Sequence, residues 1–319
     1  MFKIDPAVFR PESISAETAK FNEWLEAALA EGPALHEVPP AVTRQARLEG
    51  KGLLPSGGPL EGSDWRPAPT EAGEVRISLP KSDPTGIFIH IHGGGWTIGS
   101  PTQCDDWMQY LATETGCVCV SVKYRLGPEE PWPACADDCE AAAIWVIEEL
   151  TKEYGTTRIA IGGESAGAHL SAVTLNRLKA RGMGDAVQGA LFHYGVFDLA
   201  MTPSMANWGD RNMILSTPTV DWFTDNLIGD DPALLRSAEA SPILADLTDM
   251  PPALFQVGTV DPLIDDTLFM AQRWMAAGAG AGAAVNVYPG GVHAFDMFDI
   301  TIAKEARAAG AAFLKDIFA

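Results

Sequence analysis

"IAIGGESAGAHL", residues 159–170, decides how the chain is read. A short apolar run meets two glycines, a glutamate and a serine, and a segment of helix formers follows. Strand, tight turn and helix in that order crowd the bend, and Gly163 and Gly167 place no side chain there. Ser165 between them then projects from the carboxyl end of a strand. G-x-S-x-G in this context, Gly163-Glu164-Ser165-Ala166-Gly167, is the arrangement that exposes a nucleophilic hydroxyl. The N–H of Ala166 falls at a helix N-terminus, where the dipole favours a developing anion.

Outward from this stretch, the chain alternates strands and helices. Strand-like runs are "EVRISL", "GIFIHIH", "CVCVSVKY", "TRIAIGG", "GALFHYGVF", "PALFQVG" and "AVNVYP". Several are almost continuously apolar, as strands covered on both faces must be. Helical apolar spacing recurs over residues 102–115, 136–154, 166–181, 265–277 and 302–318. This rhythm predicts an α/β fold with a mostly parallel sheet flanked by helices. Two segments interrupt it. Residues 1–60 hold one helix candidate, "SAETAKFNEWLEAALAEG", with Phe21, Leu25, Ala28 and Leu29 as its stripe and Gly32 as its stop, followed by Pro- and Gly-rich loop. Residues 199–236 carry Met201, Met205, Trp208, Met213, Trp222 and Phe223, read either as packing on the sheet edge or as a lid over a pocket. "GAGAGAA", 278–284, reads as a helix stop and turn.

A serine nucleophile needs a base, and the base an orienting acid. Three histidines follow Ser165. His169 lies on the elbow helix and His193 inside a strand, so both read as packed structural residues. His293, in "YPGGVHAFDMF", follows the last strand and can reach the top of the sheet. Four carboxylates come into question as its partner. Asp261 leaves a strand end directly and lies in the last strand connection before the histidine loop, which favours it. Asp198 also follows a strand, and Asp265 and Asp266 read as charges capping the next helix. The expected order is Ser165, Asp261, His293.

Three glycines at the end of "IFIHIHGGGW", residues 87–96, fit the same chemistry. Amides of Gly93, Gly94 and Ala166 are expected to hold a tetrahedral oxyanion, each contributing on the order of 3 kcal/mol. His92 braces that loop, and Trp96 either lines the substrate pocket or packs beneath the loop. A dinucleotide cradle does not fit, because the G-x-G-x-x-G spacing fails and the next strand ends in Lys123 and Arg125.

Composition narrows the rest. The chain has 319 residues, 47% of them hydrophobic, and a formal net charge of −20. No basic stripe speaks for nucleic acid. Five cysteines, Cys104, Cys117, Cys119, Cys135 and Cys139, are too few and too oddly numbered for a disulfide framework. They read as core thiols, and no metal site is expected. The N-terminus "MFKIDPAVFRPESIS" has no apolar signal region, and no window is long enough to span a membrane. A soluble, cytoplasmic protein is expected.

The motifs "HGGGW", "YRLGPEEPWPACADD", "GESAGAHLS", "SPILADLTDMPPALFQVGTVDPLIDD" and "GVHAF" together resemble the bacterial hormone-sensitive-lipase-like (family IV) carboxylesterases of the α/β-hydrolase superfamily. The resemblance implies an α/β-hydrolase fold over one domain, 1–319. Residues 61–198 and 237–319 would form the catalytic core and residues 1–60 and 199–236 a helical cap. It implies the triad Ser165, Asp261 and His293, an oxyanion hole from Gly93, Gly94 and Ala166, and a structural pair between Arg125 and Glu129. It also implies short-to-medium acyl ester substrates, no cofactor, and a homodimer along the last strand in many members. Turnover is expected to fall in acid, where imidazole is protonated. Glu164 stands where Asp or Thr is commoner, and His169 where a small or amide side chain is usual. The same triad serves an amidase, lactonase or formamidase. A non-catalytic receptor, like the plant gibberellin receptors that lack the triad histidine, is the reading His293 argues against.

Overall fold

The apolar runs become the centre of one sheet. In the computed structural model, which describes residues 4–229, 231–278 and 282–319, its strands are Ser63–Pro67 (β1), Glu74–Ser78 (β2), Ile87–Ile91 (β3), Val118–Val122 (β4), Ile159–Glu164 (β5), Gly189–His193 (β6), Ala253–Val260 (β7) and Ala283–Val292 (β8). Their order is β1-β2-β4-β3-β5-β6-β7-β8. From β4 to β8 neighbours run parallel, while β1 and β2 join antiparallel at one edge. Every residue of β3, β4 and β6 is buried, which explains their unbroken apolar character.

The main helices are Ala16–Leu29 (α1), Pro40–Leu48 (α2), Asp105–Thr115 (α3), Ala134–Trp145 (α4), Thr151–Tyr154 (α5), Ala166–Ala180 (α6), Pro203–Ala206 (α7), Thr217–Ile228 (α8), Pro232–Leu235 (α9), Ile264–Ala276 (α10) and Thr301–Phe318 (α11). Side chains alternate across a strand, so Phe88 joins one face and Ile89 the other. Phe88 packs with Leu111 of α3 and Leu314 of α11. Ile89 belongs to the larger core with Leu170 of α6 and Trp274 of α10.

Three elements differ from expectation. β1, "SDWRP", has one buried residue and ends in proline, so it shows no apolar run. α2 occupies part of the segment expected to be loop; none of its residues is buried. The helix expected over 136–154 is interrupted by a π-type turn at Val146–Leu150. In the 278–284 patch, α10 stops at Ala276 and β8 begins at Ala283; residues 279–281 lie outside the described residues.

The topology places the site. β3 lies between β4 and β5, so the loops leaving β3 and β5 diverge to opposite sides. A crevice opens at the carboxyl ends of strands where order reverses this way. The glycine run follows β3 and Ser165 follows β5, so both border that crevice.

Candidate active site

Ser165 sits at φ 55, ψ −119, a conformation rare outside glycine. Such backbone stores about 1–3 kcal/mol and persists only where its surroundings enforce it. Here they do. A Cβ at Gly163 would lie 2.0 Å from the Ile91 carbonyl oxygen, and one at Gly167 1.8 Å from the same atom. The Ser165 N–H is fixed by the His193 carbonyl at 2.9 Å. The strand-to-helix bend therefore requires both glycines of the motif.

The last two strands deliver the partners. Their final pairing is Val260 with Val292, so the next residues, Asp261 and His293, leave adjacent strands side by side. Ser165 Oγ lies 2.9 Å from His293 Nε2, and His293 Nδ1 lies 2.9 Å from Asp261 Oδ2. The other Asp261 oxygen accepts the Leu263 N–H at 2.9 Å. In this geometry Nδ1–H donates to the carboxylate and leaves Nε2 to accept from the serine.

The alternatives considered from sequence lie elsewhere. Asp198 accepts from Ala200 N in its own turn. Asp265 and Asp266 stand in the first turn of α10, as expected, but they bind the incoming insertion instead of capping their own helix. Asp265 accepts from Ser204 N, and Asp266 from the N–H groups of Phe197 and Asp198 and from Thr202 Oγ1. Burial pushes the Asp266 carboxyl up to about 7 against the pull of those bonds. His193 is held by Asp296 and Gln256. His169 accepts from Trp96 Nε1 at 3.1 Å and donates Nε2–H to the Ala240 carbonyl at 2.7 Å.

This decides between the two readings of Trp96 and corrects the one that put it in the substrate pocket. Trp96 is 1% exposed and absent from the cavity wall; it anchors the glycine loop from below, onto His169. His92 braces the loop as expected. Its ring stacks on Tyr124 with centroids 4.2 Å apart, and Tyr124 Oη donates to its carbonyl. Burial lowers both His92 and His169 to about 4, so both are neutral near pH 7.

The glycine amides also need correction. Gly93 N–H donates to Glu164 Oε1 at 3.0 Å and is therefore engaged before any substrate arrives. The N–H groups of Gly94 and Gly95 make no hydrogen bond among the described residues. Gly94 has φ +111, and a Cβ there would lie 2.5 Å from Gly99 N. The amide of Ala166, first residue of α6, has no intrahelical acceptor by position. Free donors thus come from Gly94, Gly95 and Ala166. The third glycine was visible in the same run, but which amides were taken depended on the reach of Glu164.

Glu164 ties the loop to the sheet. Oε2 accepts from His90 Nε2 at 2.8 Å, and His90 Nδ1 meets Ser121 Oγ at 2.7 Å. Cys104 Sγ donates to Oε1 at 3.3 Å. Burial alone would raise this carboxyl, but His90, Gly93 N–H and Cys104 outweigh it and hold it at about 2. His90, Cys104 and Glu164 keep metal-ligand atoms within 4.8 Å of one another. Their bonds to each other occupy those atoms. Cys104 is not a core thiol as expected; it reaches the cavity wall.

A sequence profile described as "alpha/beta hydrolase fold" matches residues 88–297. The Mycobacterium tuberculosis carboxylesterase NlhH is 33% identical over 241 residues, covering 74% of this chain and 72% of its own. The chain belongs to the hormone-sensitive-lipase-like (family IV) carboxylesterases of the α/β-hydrolase fold. The carboxylic ester hydrolase LipN of the same organism is 36% identical over 221 residues, 66% of this chain and 58% of its own length. A hyperthermophilic esterase from the archaeon Pyrobaculum calidifontis superposes with TM-score 0.83 at 27% identity, over 94% of this chain and 98% of that one.

Within this carboxylesterase frame, the pair expected between Arg125 and Glu129 does not form. Arg125 Nε binds Asp138 at 2.9 Å. Glu129 instead receives both terminal nitrogens of Arg44 from α2, at 2.9 and 2.7 Å. Arg44 also donates to the carbonyls of Thr97 and Gly127. The N-terminal segment is thereby latched to the loop that carries the free glycine amides. Ser165 opens into a cavity of about 350 Å³, walled by Leu35 and Val42 from that segment, Leu215 and Phe223 from the insertion, and Ile98. No helix among the described residues is long and apolar enough to cross a membrane.

Proposed function

We propose that the chain hydrolyses small carboxylic esters through an acyl-enzyme intermediate on Ser165. The observation carrying this reading is the continuous chain Ser165 Oγ, His293 Nε2, His293 Nδ1, Asp261 Oδ2, with both contacts at 2.9 Å, at a strained elbow open to the cavity. His293 takes the hydroxyl proton as Oγ attacks the ester carbonyl, and Asp261 stabilises the imidazolium. The N–H groups of Gly94, Gly95 and Ala166 receive the oxyanion. His293 returns the proton to the leaving alcohol. It then deprotonates a water that attacks the acyl-enzyme, freeing the acid and restoring Ser165.

Membership of the carboxylesterase family supports ester over amide as the scissile group. The N-terminal segment and the 199–236 insertion act as the cap in this reading, because both wall the cavity. Ser165→Ala is expected to lower kcat on a short-chain p-nitrophenyl ester by roughly 10⁵-fold or more. Asp261→Asn should cost roughly 10⁴-fold, and Asp198→Asn should not impair turnover. Retained activity in Ser165→Ala, or greater loss in Asp198→Asn than in Asp261→Asn, would contradict the assignment.

A further inference from the structure

α2 carries two arginines three residues apart, Arg44 and Arg47, which share one side of the helix. They differ completely in what they touch. Every nitrogen of Arg44 is engaged by Thr97, Gly127 or Glu129. The Arg47 guanidinium makes no hydrogen bond and no ion pair among the described residues, yet Arg47 is half-buried and lines the cavity with Ser165 and His293. Arg10 and Arg236 also lack side-chain partners, but both are exposed and solvated. Burial lowers Arg47 to about 10, so it stays charged at neutral pH. Cys104, His92 and the glycine loop line the same cavity as Arg47.

No carboxylate of the cavity wall bonds it. Glu164 is committed to His90, Gly93 and Cys104, and Lys51 pairs with Glu49 at 2.6 Å. The surrounding wall is mostly apolar. A partly desolvated charge without a counterion is costly, and a guanidinium fork in such a setting matches a carboxylate in two parallel bonds.

We propose that Arg47 makes this cavity select esters that carry a second, ionised carboxylate. The proposal rests on the esterase reading above and names its substrate class. The chain's net charge of −20 repels anions at long range, so a preference for them must arise locally, at the pocket.

The test compares kcat/KM for esters matched in length and differing in charge. Ethyl hydrogen succinate against ethyl butyrate places the carboxylate on the acyl side. Butyryloxyacetate against propyl butyrate places it on the alcohol side. In one of the two arms the anionic-to-neutral ratio should fall roughly 10- to 100-fold in Arg47→Met, mainly through KM, with Arg47→Lys between. Turnover of the neutral ester reports that each variant is folded. Calorimetry on Ser165→Ala, with and without Arg47→Met, reads binding of the same esters without turnover. Tighter binding of an anionic ester that is lost with Arg47 supports the proposal even if no ester is hydrolysed, an outcome that would sink only the esterase reading. Equal ratios in wild type and Arg47→Met in both arms, with equal binding, would overturn the proposal.

Discussion

Glu164 stands one position before Ser165 and holds both the sheet and the glycine loop. Its carboxylate is shared by His90, Gly93 N–H and Cys104. Removing it releases the loop that presents the Gly94 and Gly95 amides. Glu164→Ala is therefore expected to lower kcat by about tenfold or more, with a smaller change in KM, because the lost contacts are charge-assisted. Its titration gives a second signature. The carboxyl is held at about 2 against an ordinary value of 4.5, so its stabilisation is complete above pH 4.5 and is lost as pH falls toward 2. Wild type should lose more stability across that window than Glu164→Gln, measured by denaturant unfolding at each pH. The motif around Glu164 was legible from its spacing, and so were Asp261 and His293 from their places after strands. The amide occupied by Glu164 was not, because three consecutive glycines look alike until the length of a neighbouring side chain selects among them. Trp96 was open for a similar reason: an aromatic after a glycine loop can face either way, and His169 decides its direction.

Among the elements, α2 and the start of α10 hold the cavity walls in place. α2 has Pro40 at its first position and a marked apolar-to-polar split between its faces, but it is only nine residues long and buries none of them, so it lacks an anchor of its own. Tertiary contacts supply one, chiefly through Arg44. Arg44→Ala should cost about 1–2 kcal/mol, since its partner Glu129 is 56% exposed and the pair is partly screened. KM should rise more than kcat falls, because α2 carries Val42 and Arg47 in the wall. A fall in kcat alone would mean the latch acts on the glycine loop instead. At α10, Asp266 joins the helix to the root of the insertion through Phe197, Asp198 and Thr202. Its carboxyl is raised to about 7, so the folded state holds a proton that the unfolded state has already released above about 4. Stability from this group is present in acid and is lost as pH rises from about 4 through 7. Asp266→Asn should flatten that decline, giving a smaller loss of melting temperature between pH 5 and 8 than wild type. An unchanged slope would contradict the buried proton.

At the scale of the molecule, the α/β architecture was legible because β3 to β7 are covered on both faces and so carry apolar runs. The edge was less so. β1 pairs antiparallel at the border with mostly exposed side chains, and β8 runs on through Pro289, Gly290 and Gly291, residues that read locally as a turn. The crevice follows from strand order, which no local pattern reveals, and strand order brings the loops after β3, β5, β7 and β8 to one end of the sheet. The central claim is that Ser165, activated there by His293 and Asp261, is the nucleophile. It is tested most directly by treating the protein with a p-nitrophenyl alkylphosphonate and locating the adduct by peptide mass spectrometry. The account predicts one adduct per chain, on the peptide bearing Ser165, formed in step with loss of esterase activity and absent from Ser165→Ala. An adduct on another residue, or esterase activity that survives full labelling of Ser165, would contradict it.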